Sequence, residues 1–139
     1  DESESRGLGD VYKRQKQLLS DSRLTGLLTV SFIVLMIFGS SFEGSSIPKS
    51  YIFTLDKLLH ILEYYIFGIF LFFVFLSASK KPAIISLITG IFYSFIDELY
   101  QSTVKGRDSS ILDIVADITG LILGLVFIKI FLNSLIYDK

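Results

Sequence analysis

The sequence contains no cysteine and no tryptophan, and only one histidine, one methionine and two prolines. Without cysteine there can be no disulfide, no thiolate metal site and no cysteine nucleophile, and the redox compartment is left open. His60 is the single imidazole, so a metal site would be dominated by carboxylates. Such a site suits magnesium, calcium or manganese better than zinc. An excess of one charge is missing too. Thirteen Lys and Arg against fourteen Asp and Glu give a formal charge of −1, which offers no basis for a nucleic-acid partner.

What is present is apolar sequence, in blocks. Hydrophobic residues make up 51% of the 139 positions and the mean hydropathy is +0.61. That length allows one domain. The apolar residues form four runs of roughly 18–22 residues, the length that crosses a bilayer core.

Residues 1–23 are polar, mixed in charge and carry Gly7 and Gly9, so they read as a disordered or non-native tail. The piece ESRGLGDVYKRQ resembles a translated linker and is set outside the fold. The membrane domain is expected over residues 24–139. Its first apolar run, 24–42, ends at Gly39-Ser40-Ser41. It is read as a retained span in preference to a cleaved signal peptide, because it is long and three more follow. A polar loop over 43–54 contains Pro48, and the second run starts at Asp56 and reaches Ser77. A basic turn, Ser79-Lys80-Lys81-Pro82, precedes the third run, which extends to Tyr100. A loop over 101–109 with Gly106 leads to the fourth, about 110–132. The fold class expected is therefore all-α, a polytopic membrane protein with four transmembrane helices in an up-down bundle. Lys16, Arg23, Lys80, Lys81 and Lys129 fall on one side; Lys49, Lys57, Lys105 and Arg107 fall on the other. Counting these charges puts both termini in the cytoplasm. The start of helix two, the end of helix three and the start of helix four then share the outer face.

The polar residues concentrate at those three ends. In helix two, Asp56, His60 and Glu63 share a face at spacings of four and three. Asp56 at the first position suits a helix cap, and Lys57 suits snorkelling to the headgroups. His60 and Glu63 lie too deep for either role. In helix three, Gly90, Ser94, Asp97 and Gln101 form one stripe, with Tyr93 and Glu98 beside it. Gly90 and Ser94 fit a small-residue packing seam. Asp97 and Glu98 occupy the last turn, where the helix dipole opposes anions by roughly 0.3–1 kcal/mol each, so they need a cationic partner or a proton. Arg107, following Gly106, can hold a carboxylate of that pair or a phosphate through two parallel hydrogen bonds. In helix four, Ser110-x-x-Asp113 matches a capping box, whereas Asp117 is a turn deeper. Gly120-x-x-x-Gly124 reads as a close helix contact. Lys105, Asp108 and Ser109 read as solvated loop residues.

These motifs resemble the VanZ-like family of small membrane proteins. The likeness rests on Asp56-Lys57-x-x-His60 with Tyr64 and Gly68, on Asp97-Glu98-x-x-Gln101, on Gly106-Arg107, and on Asp113 with Gly120. It covers roughly residues 24–132. Three positions depart from the family pattern: Tyr100 where many relatives carry histidine, Lys105 where proline is common, and Asp117 where asparagine is frequent. The resemblance implies an envelope function connected with lowered sensitivity to the glycopeptide teicoplanin. A phosphotransbutyrylase label attached to some members fits no feature of this chain.

The expected function is that of an envelope membrane protein in the plasma membrane with an outward polar pocket for a phosphate-bearing or amphipathic molecule. Lys57, Gln101, Arg107 and Asp113 are the ligand-binding candidates. His60, Asp97 and Glu98 would carry any proton chemistry, with an aspartate or glutamate as base and histidine as shuttle. The expected partners are the lipid bilayer and an envelope lipid or glycopeptide; no cofactor and no metal are assigned. Two alternatives stand beside this reading. One is a non-catalytic protein whose polar groups form an interhelical ion-pair network. The other is a divalent-metal enzyme using Asp97, Glu98, Asp113 and Asp117.

Overall fold

A computed structural model describes residues 22–42, 49–107 and 110–137. Residues 1–21 of the expected tail, 43–48 of the first loop, Asp108, Ser109 and residues 138–139 lie outside the described residues. Four helices follow one another: α1, Ser22–Ser40; α2, Lys49–Leu76; α3, Pro82–Gln101; and α4, Ile111–Tyr137. Among the described residues there is no strand. Each helix is long and apolar enough to cross a membrane. Pro82 at the first turn of α3 is where a missing N–H costs nothing.

Two boundaries differ from expectation. α2 begins at Lys49, so Asp56 lies two turns inside the helix and is not its cap. Nothing after Pro48 interrupts the helix, because KSYIFTLD holds neither glycine nor proline. α4 continues to Tyr137, beyond the predicted end near residue 132. At 1.5 Å per residue, the 28 residues of α2 measure about 42 Å, more than the roughly 30 Å of a hydrocarbon core.

The helices are arranged inside out relative to a protein folded in water. The buried residues of α3 are Ser86, Gly90, Ser94, Asp97, Glu98 and Gln101, all small or polar. Its outer face is Ile84, Ile88, Phe92, Phe95, Ile96 and Leu99, each more than 45% exposed. Such a helix is stable only where the surroundings are as apolar as its outer face. A smaller hydrophobic core does exist, with Met36, Tyr64, Phe67, Leu71 and Leu121 at its centre. A second group, Phe72, Leu125 and Ile128, lies toward the opposite end from the polar cluster.

Sequence neighbours run antiparallel, yet the most intimate pairing is between α2 and α4, which run parallel. Glycine makes it so. A Cβ on Gly120 would sit 2.3 Å from the Ile61 carbonyl oxygen, and one on Gly124 would sit 2.2 Å from that of Tyr65. Only hydrogen fits at either point, so the two backbones touch along a full turn. Leu121, between the two glycines, fills the space beside Gly68 and Gly90 and so locks α3 against the pair. α1 packs on α2 and more lightly on α3.

Candidate functional site

The α2–α4 contact fixes a register, and the register sets the chemistry. Gly120 lies against Ile61, which places Asp117 level with His60 and Asp113 level with Lys57. At the deeper level, His60 Nδ1 donates to Asp117 Oδ1 at 2.8 Å, and Ser94 of α3 donates to Asp117 Oδ2 at 2.6 Å. Asp117 is 1% exposed and His60 4%. With Nδ1 committed to a carboxylate, the ring is held in place and Nε2 is the nitrogen left for other partners.

One turn nearer the end of the bundle, the Lys57 ammonium group donates to Asp113 and, at 3.3 Å, to Asp56. Arg107 reaches the same aspartate from the loop, with Nη2 3.9 Å from Asp56 Oδ1, while its Nη1 donates to the Ser40 carbonyl at 3.3 Å. Gly106 makes that return possible: its φ of 79° lies in the left-handed region and turns the chain back over the helix ends. Arg107 thus pairs with neither Asp97 nor Glu98, the partners weighed from the sequence.

Those two acids diverge. Asp97 faces α1, where Ser40 Oγ donates to Oδ1 at 2.8 Å and Gln101 Nε2 donates to Oδ2 at 3.0 Å; Gln101 also donates to Ser40 Oγ at 3.2 Å. Neutral donors, and no cation, satisfy this carboxylate. Glu98 faces α4, where Oε1 accepts the Ser110 N–H at the helix start. The capping box is therefore built across two helices. Ser110 Oγ accepts from the Leu112 N–H, but the reciprocal carboxylate is Glu98 and not Asp113, which is held by Lys57. The other oxygen of Glu98, Oε2, is buried without a hydrogen-bond partner. Glu63 points toward α1, its Oε1 3.8 Å from where a Cβ on Gly39 would lie.

All four helices thus contribute at one end. Ser40 is the residue the sequence reading missed. Its signal was the polar Gly39-Ser40-Ser41 closing an apolar run, weighed there only as the feature that makes a cleaved signal peptide conceivable. Ser41 adds an exposed hydrogen bond to the Tyr100 hydroxyl at 2.9 Å. Of the carboxylates weighed as metal ligands, Asp97 and Asp117 are committed elsewhere. The groups that can present ligand atoms to a common point are Asp56, His60 and Asp113, all within 4.8 Å of one another.

A family model described as VanZ/LLP1 matches residues 9–132, which takes in all four apolar helices. The chain belongs to the VanZ/LLP1 family. With four helices long and apolar enough to span a bilayer, it is a multi-pass membrane protein of that family. No curated protein and no solved structure matches it. The aspartates, histidine and arginine that carry the resemblance to VanZ-like proteins all lie at the end of the bundle just described.

Proposed function

We propose that this VanZ/LLP1 protein binds a phosphate-bearing, amphipathic molecule of the cell envelope at the polar end of its bundle, which faces outward. The observation that carries the reading is the state of Arg107. Its guanidinium has five N–H donors, of which one is engaged by the Ser40 carbonyl; its ion pair with Asp56 is long, at 3.9 Å. Arg107 and Lys57 are each about one-fifth exposed, at the open end of a cluster whose deeper members are buried. An anion arriving from the membrane surface meets these two cations first. The apolar outer faces of the helices supply a surface for the ligand's hydrocarbon part.

His60, below this mouth and held by Asp117, is the group positioned to give or take a proton at Nε2. Glu98 stands nearby with one oxygen free. Asp97 and Gln101, by contrast, are closed on Ser40, and we assign them to holding α1 against α3. In this respect the network reading applies to half of the cluster.

The test is charge-preserving. Arg107→Lys keeps the cation and loses the planar pair of donors. Expressed in a teicoplanin-sensitive host, the wild type is expected to lower susceptibility and to co-purify with a phosphate-containing lipid detectable by native mass spectrometry. Arg107→Lys is expected to lose both, whereas Leu99→Ala on the outer face keeps them. Equal retention by Arg107→Lys excludes a planar clamp.

A further inference from the structure

We propose that Asp56, His60 and Asp113 form a divalent-cation site in exchange with the ammonium group of Lys57. Three observations converge. The ligand atoms of the three residues lie within 4.8 Å of one another, two of them on α2 and one on α4, in the register that Gly120 and Gly124 impose. His60 is held as a metal-bound imidazole is: Nδ1 is hydrogen-bonded to a carboxylate outside the set, which leaves Nε2 as the nitrogen available to an ion. The third observation comes from α3. Glu98 is 4% exposed, its Oε1 is held at the start of α4 by the Ser110 N–H, and its Oε2 is buried without a hydrogen-bond partner. A buried carboxylate oxygen without a donor is costly, and a cation held by the three residues would lessen that cost through its charge.

Lys57 now stands between Asp56 and Asp113. With Arg107 it supplies two positive charges where Asp56, Asp113, Glu98 and Asp117 supply up to four negative ones. A divalent ion offers two charges and bonds to several oxygens at once. When it binds, Lys57 is released toward the open end, where it joins Arg107 as a phosphate donor. Oxygen-rich ligation with one imidazole suits manganese first and zinc second. The inference rests on the phosphate reading only in what Lys57 does after release; the ion site itself does not need it.

The experiment titrates Mn2+ alone into the full chain, purified in nanodiscs without a histidine tag and with no phosphate present, and follows free Mn2+ by electron paramagnetic resonance. One ion per chain is expected. Asp113→Asn should weaken binding more than tenfold. Lys57→Met should tighten it about tenfold, because the competing ammonium is gone, and misfolding cannot mimic a gain in affinity. Lys57→Gln is the second variant and should move the same way. Leu99→Ala on the outer face should leave Mn2+ binding unchanged, and because no phosphate is present the titration reports the ion site apart from the phosphate clamp. Absence of a stoichiometric site in the wild type, full binding in Asp113→Asn, or no gain in both Lys57 variants would overturn the proposal.

Discussion

His60 is the one imidazole in the chain, and its bond to Asp117 decides which ring nitrogen is left for other partners. A lone histidine is also a spectroscopic convenience, since its nitrogens can be observed without assignment. With 15N-labelled histidine, Nδ1 is expected to resonate as a protonated nitrogen in a strong hydrogen bond. Asp117→Asn should move that signal toward an ordinary imidazole; an unprotonated Nδ1 in the wild type would contradict the arrangement described. The same reasoning separates the acids by their donors. Asp97 is satisfied by a hydroxyl and an amide, Asp113 by an ammonium group, and Glu98 by a backbone N–H on one side only. Side chains of one type, on neighbouring turns, therefore have different work to do. Their sequence positions alone could not say so, because each partner comes from another helix.

Among the elements, the α2–α4 pair determines the site, and two glycines determine the pair. Hydrogen is the largest substituent either position accepts, with a carbonyl oxygen 2.2–2.3 Å from the place of a Cβ. Gly120→Val or Gly124→Val should push the helices apart, cost about 1–3 kcal/mol as overpacking, and lower the thermal midpoint in detergent. Gly26→Val, where nothing lies within 4 Å of a Cβ, should leave the midpoint unchanged. Equal effects at the three positions would mean that the close contact is not what holds α2 and α4 together. Much of this was legible beforehand. The four runs had the length of spans, the stripe from Gly90 to Gln101 had helical spacing, and Gly120-x-x-x-Gly124 read as a contact. What it contacts was not legible, because a small-residue motif names no partner. Asp56 was misplaced as a cap for a related reason: the polar loop expected up to residue 54 turned into helix at Lys49, where no residue resists it. The pairing of Ser40 with Asp97 was invisible as well, since 57 residues separate them and α1 carries no charge at that end to announce it.

The whole molecule has two unlike ends. One gathers Asp56, Lys57, Asp97, Glu98, Arg107 and Asp113; the other has Lys80 and Lys81 in the α2–α3 turn and Lys129 toward the end of α4. The start of α1 and the end of α4 lie at the lysine end, and the orientation proposed here puts that end in the cytoplasm, where short loops carry an excess of basic residues. The basic residues at the polar end weaken that count, yet Lys57 and Arg107 sit against Asp56 and Asp113 and are accounted for by the cluster itself. The absence of cysteine makes the orientation directly measurable, because an introduced thiol is unique. Thr103→Cys lies on the exposed α3–α4 loop, and Ser77→Cys on the exposed α2–α3 turn. In intact cells a membrane-impermeant maleimide should label the first and spare the second, with Ser77→Cys reacting only after permeabilisation. The reverse pattern would turn the polar end toward the cytoplasm. The ion site would survive that result, being a matter of helix register, but an envelope ligand approaching from outside would not.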